Sequence, residues 1–284
     1  MKNVLLFICS FITFVGLSQN KIPYQIFTAQ GKKSNFNKML QKSENANVVL
    51  FGEYHNNSII HWLQLEFTKE LFAKKNLILG AEMFEADNQK QLNEYLAGTI
   101  NEKKLDSTAR LWKNFKTDYK PLVDFAKDNK IEFVATNIPR KYASLVLKKG
   151  LEELENLSPS EKLFIAPLPI PFDKDLAGYK AMLEMQGSEH AGDKMPKAQA
   201  IKDATMAYFI NKNRKENTIF IHYNGTYHSE NKEGINWYLK KETPPINIIT
   251  IATVEQKDIS KLASENKNKA NFIIVVDEDV IKTY

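Results

Sequence analysis

The sequence predicts an α/β fold: a largely parallel sheet with helices on both faces. Three observations predict it. Six short apolar runs bounded by polar or glycine residues read as buried strands, at 48–51, 77–81, 131–136, 218–222, 246–252 and 272–276. Segments with helical spacing lie between strands, the pattern of parallel crossovers rather than hairpins. Four of the runs end in clusters of ionisable or amide side chains. Open α/β sheets bind ligands at that edge, outside the carboxyl ends of the strands.

Taken in order, residues 1–18 read as a secretory signal peptide. Lys2 supplies the positive n-region, 4–17 is an apolar run, and Gly16 and Ser18 are the small residues for a cut after Ser18. The run is shorter than the roughly 20 apolar residues of a bilayer span. Export is therefore expected, to the periplasm or the extracellular space, with 19–284 as one α/β domain. Cys9, the single cysteine, lies inside this segment behind Ile8, where a lipid-attachment signal wants a small residue. The cleaved chain then has no disulfide, no thiolate ligand and no cysteine nucleophile, which suits an oxidising compartment. The net charge of +5 is carried by lysines scattered among glutamates. Without a basic face interleaved with aromatics, nucleic acid is excluded as a partner.

A polar lead at 19–33 precedes a short helix at 35–43 and the first strand. Gly52 breaks that strand, Glu53 and His55 follow, and Asn56, Asn57 and Ser58 are helix N-cap candidates. Ile59, Ile60, Leu63 and Phe67 continue as a helix, on which His61 and Gln64 share a face. The second strand ends in Glu82 and Glu85. The stretch 88–130 is polar and helical, with Trp112, Phe115 and Tyr119 spaced for one helix face. The third strand leads to Asn137, Pro139 and Arg140. Residues 151–215 read as a helical insertion before the fourth strand. A capping box at Ser158 and Glu161 with Pro159 starts one helix. Pro167, Pro169 and Pro171 then forbid regular structure, and 175–185 and 197–211 are helical again. The loop between these two holds His190. The fourth strand runs into His222, Asn224 and His228.

Parallel strands would bring Glu53, His55, Glu82, Arg140 and His228 into one cleft. Glu53, His55, Glu82 and His228 are imidazole and carboxylate ligands of the kind several divalent metals take, although no HExxH spacing is present. As a hydrolase, the cleft would use His55 as base or ligand. Glu53 and Glu82 would orient it or bind metal, with Arg140 or His228 meeting developing negative charge. No Gly-x-Ser-x-Gly elbow points to a serine nucleophile. In the insertion, Met182 and Met185 suit packing, while a tyrosine, Tyr179 or Tyr208, or His190 there has the chemistry of an axial haem ligand.

GEYHNNSIIHWLQ at 52–64, GAEMFE at 80–85, TNIPR at 136–140, KDATMA at 202–207 and HYNGTYH at 222–228 together resemble the ChaN-like haem-binding proteins. The glutamine of the first motif stands one place earlier than in that family. The resemblance implies a three-layer α/β/α fold and an exported haem-binding protein in haem or iron acquisition. His190, Tyr208 and Tyr227 are then ligand candidates, with Met182 nearby and Arg140 and Lys141 for the propionates. The wider superfamily includes Tiki-type metal-dependent proteases and erythromycin esterases, which use the GExH-like motif and the later glutamate. That implies the alternative, a metal-dependent peptidase or esterase. The partner is haem or another small molecule, with peripheral membrane association and a homodimer left open.

Overall fold

A computed structural model describes residues 21–185, 192–241 and 245–284. Eight strands form one sheet: β1 (Tyr24–Thr28), β2 (Lys33–Ser34), β3 (Val48–Glu53), β4 (Asn76–Glu85), β5 (Glu132–Asn137), β6 (Thr218–Gly225), β7 (Ile248–Gln256) and β8 (Phe272–Asp277). Their order across the sheet is β2-β1-β8-β7-β3-β6-β4-β5. All pairs from β8 to β5 are parallel, while β1 runs antiparallel to β8 and β2. The fold is thus α/β with a largely parallel sheet, as the strand pattern predicts. The expected polar lead is a correction: it contains β1 and β2. In β1 only Ile26 and Phe27 are buried, too few residues for an alternation to be read.

The helices are α1 (Phe36–Ser43), α2 (Ser58–Phe72), α3 (Gln89–Leu96), α4 (Glu102–Thr108), α5 (Lys120–Asp128), α6 (Arg140–Lys149), α7 (Pro159–Lys162), α8 (Ala177–Met185), α9 (Lys194–Asn213) and α10 (Ile235–Leu239). Helices α1 to α5 cover one sheet face, where Leu63, Leu92 and Leu122 belong to one core with Val49 and Phe51. Helices α9 and α10 cover the other, where Ala207 and Leu239 meet Val48 and Leu50. Alternate residues of β3 therefore enter different cores, which is why the strand is a continuous apolar run. The last two predicted insertion helices appear as α8 and α9, and the capping box starts α7. Trp112, Phe115 and Tyr119 do not share one helix. Phe115–Tyr119 is a single wide turn, and α5 begins beyond it with Pro121 in its first turn, where its missing N–H costs nothing.

Three details set the functional edge. A Cβ at Gly52 would lie 2.8 Å from the Ile251 carbonyl oxygen and 2.9 Å from Thr226 Cα, so only glycine lets the end of β3 pass there. The β4–β5 register shifts between Ala81 and Glu85, a bulge that re-aims the end of β4. At the open edge of β5, the Gln89 side chain accepts from Ala135 N–H at 2.6 Å and donates to Phe133 O at 2.9 Å.

Candidate functional site

The carboxyl ends of β3, β4, β5 and β6 do meet, and two imidazole–carboxylate groups stand side by side there. The first is built on β3 and α2. Asn57 caps α2, its side chain accepting from Ile60 N–H, which fixes where the helix starts and hence where His61 and Gln64 point. Glu53 is 2% exposed. Gln64 Nε2 donates to its Oε2 at 2.6 Å, His55 Nδ1 lies 2.9 Å from Oε1, and the Tyr119 hydroxyl donates to Oε1. Burial works to raise the Glu53 pKa, yet the charges of His61 and His55 and these hydrogen bonds hold it below the usual range. For His55, burial pulls the other way, but the Glu53 hydrogen bond and the Glu82 and Glu53 charges raise the pKa. His61 Nε2 reaches His55 O at 3.0 Å and Asn114 Nδ2 donates to the same oxygen at 2.6 Å. Trp112 stands edge-on to the imidazole, 4.5 Å between ring centroids.

The second group joins β4, β6 and α9. Glu82 Oε2 accepts from Gly225 N–H at 2.8 Å, and Oε1 lies 3.2 Å from His228 Nε2. His228 Nδ1 lies 2.5 Å from Asp203 Oδ1, whose other oxygen accepts from the Tyr179 hydroxyl at 3.1 Å. Burial disfavours the His228 imidazolium, but Glu82 and Asp203 outweigh it and push the pKa up to about 10. Burial likewise opposes ionisation of Glu82, whose pKa is nevertheless lowered, chiefly by His228. Asp203 is held up by its burial. Gly225 separates the two groups: a Cβ there would lie 3.0 Å from His55 Cε1 and Nε2 and 3.5 Å from Glu82 Oε2.

Arg140, at the start of α6, lines a cavity of about 380 Å³ with Glu82, Asn137, Trp112, Leu147 and Lys202. So Glu53, His55, Glu82, Arg140 and His228 share one edge. Glu85 is taken by Arg110 at 2.7 Å. Buried His222 bonds Asn224 Oδ1 and Thr136 Oγ1, and burial pushes its pKa down to about 4. Lys141 turns to Glu161, 3.8 Å away, and to the Tyr142 ring.

Of the haem-ligand candidates, Tyr227 follows β6 at this edge beside His228, whereas Tyr208 does not line its cavity. Tyr208 lines a different, more apolar cavity of about 530 Å³ on another face of α9. Tyr227 donates to Gly178 O of α8, half-buried Met182 lies on α8, and His190 falls outside the described residues. Among the described residues, no group of three or more His, Cys, Asp or Glu is arranged to hold a metal ion. The metal set of Glu53, His55, Glu82 and His228 is instead engaged in pairs. Sequence reasoning missed Asp203, Tyr119 and Lys202 as site residues. Asp203 did carry a signal, a lone acid among the small and apolar residues of ATMA in α9.

A curated Arabidopsis thaliana protein, Protein RETICULATA-RELATED 5, chloroplastic, is 28% identical over 135 residues. That match takes in 45% of this chain, which spans only 18% of the relative's length. The solved structure of Campylobacter jejuni ChaN with cofacial haem superposes with a TM-score of 0.65 at 17% identity, covering 89% of this chain and 97% of the other. A Bacillus cereus protein of known structure gives 0.50 at 12% identity, covering 86% and 92%. At these identities the structures show a common fold. A family profile described as haem-binding uptake, Tiki superfamily, ChaN matches residues 39–239, most of the sequence, and the chain belongs to that family.

Proposed function

We propose that this chain is an exported haem-binding protein of haem or iron acquisition, and that it holds the porphyrin in the cavity beside Tyr208. The observation that carries the reading is the chemistry of that cavity. Pro167, Ile170 and Pro171 face Ala204 and Ala207 of α9 across about 530 Å³, the kind of mostly apolar recess that takes a flat organic ligand. A porphyrin also needs an iron ligand and cations for its propionates. Tyr208 offers the first, since tyrosine is an established haem ligand, and the ammonium groups of Lys212 and Lys241 on the rim offer the second. The Tyr238 hydroxyl donates to Pro171 O at 2.7 Å and ties the proline segment to α10 as one wall. Export rests on the apolar run at 4–17 and its small residues before the cut. The cofacial haem of the C. jejuni relative supports a homodimer in which two such cavities face each other.

Titrating the cleaved protein with hemin tests this. We expect a saturable Soret shift, lost or moved by Tyr208→Phe, and a hemin-dependent doubling of mass in sedimentation. A protein with no saturable shift at near-stoichiometric hemin ends the haem reading. A shift indifferent to Tyr208→Phe ends the placement.

A further inference from the structure

The cavity at the strand edge lies on a different face of α9 from Tyr208, and among the described residues its charges do not balance. Each carboxylate on its wall has a partner of its own: Glu82 has His228 and Gly225 N–H, and Glu85 has Arg110. Arg140 and Lys202 do not. Their side chains make no ion pair or hydrogen bond among the described residues, although α6 and α9 pack together and present both to one recess of about 380 Å³. Two like charges held beside a recess, with Trp112, Ala143 and Leu147 as apolar wall, favour an anion between them. A planar guanidinium matches the oxygen pair of a carboxylate or phosphate, and an ammonium adds a point charge. The volume sits near the lower end of small-molecule pockets.

We infer that this cavity is a second ligand site, for a small organic oxyanion whose carboxylate or phosphate head lies between Arg140 and Lys202 and whose apolar body lies on Trp112 and Leu147. The site is separate from the porphyrin cavity. Its occupant is read from the two cations and the apolar wall alone, so it does not depend on haem binding.

Isothermal titration calorimetry with phenyl phosphate, benzoate and neutral benzyl alcohol tests it. We expect saturable one-to-one binding of at least one oxyanion, with benzyl alcohol weaker by about tenfold or more, the scale of a charge-assisted contact. Comparing the two oxyanions tells a phosphate head from a carboxylate. Arg140 is exposed and Lys202 half-buried, so Arg140→Gln and Lys202→Gln should fold; each should weaken binding by about tenfold, and Lys141→Gln should not. Prior saturation with hemin should leave the isotherm unchanged. No saturable binding of either oxyanion overturns the inference, as does binding in both variants that is as tight as the parent's. Competition with hemin overturns the separation of the two sites.

Discussion

At 2% exposure a carboxylate stays ionised only when its partners outweigh the water it gives up, and Glu53 has His55, Gln64 and Tyr119. The same charges act on His55 in return. Both Glu53 and Glu82 raise its pKa, so Glu53→Gln and Glu82→Gln should each lower it, as followed by NMR of the imidazole protons. Were both variants to leave that titration in place, the two groups would not share a site. His228 stands between two carboxylates, and removing one partner of a buried pair strands the others. His228→Gln should cost about 3–5 kcal/mol near pH 6, measured by denaturant unfolding. The strand-end members of this site were legible because each follows an apolar run directly. Tyr119 and the pairing of Asp203 were not, because their partners, Glu53 at the end of β3 and His228 in the turn after β6, lie far off in the sequence.

Among elements, the two glycines at the sheet edge differ in what a methyl group would strike. At Gly52 it meets a carbonyl oxygen at 2.8 Å and the Thr226 Cα, backbone that cannot give. At Gly225 it meets the His55 ring at 3.0 Å, a half-buried side chain that can. Gly52→Ala should therefore cost more than the roughly 1–3 kcal/mol of ordinary overpacking. Gly225→Ala should stay within that range and change the His55 titration. Thermal melts with the NMR titration check the pair, and equal stability losses would contradict it. The central strands were legible because both their faces are covered, which leaves long apolar runs. β1 was hidden by its length and by its pairing with β8 from the far end of the chain. The break before α5 shows in Pro121, but the aromatic spacing around it looked continuous.

Across the whole molecule, the buried histidines set opposite limits on stability. His228 titrates at about 10 in the folded chain against an ordinary 6.5. Its contribution is complete below pH 6.5 and is lost as pH rises toward 10. His55, also raised, acts in the same direction. His222 titrates at about 4, so its contribution is complete above pH 6.5 and is lost as pH falls through 4. The melting temperature should peak near pH 6.5 and fall on both sides, each group contributing up to about 1.4 kcal/mol per pH unit. His222→Asn should flatten the acid limb, and a profile unchanged by that substitution would count against the assignment.

The side-chain amide of Gln89 has a consequence beyond holding β5. Its oxygen and nitrogen occupy Ala135 N–H and Phe133 O, the groups a neighbouring strand would use, so one residue stands in for a ninth strand. At the far edge, β2 is only two residues long. A parallel sheet this size is thereby denied both docking rails on which chains stack into aggregates. Gln89→Ala should leave hemin binding intact and the fold weaker by only about 1 kcal/mol. Its light scattering should nevertheless grow with protein concentration where the parent's does not.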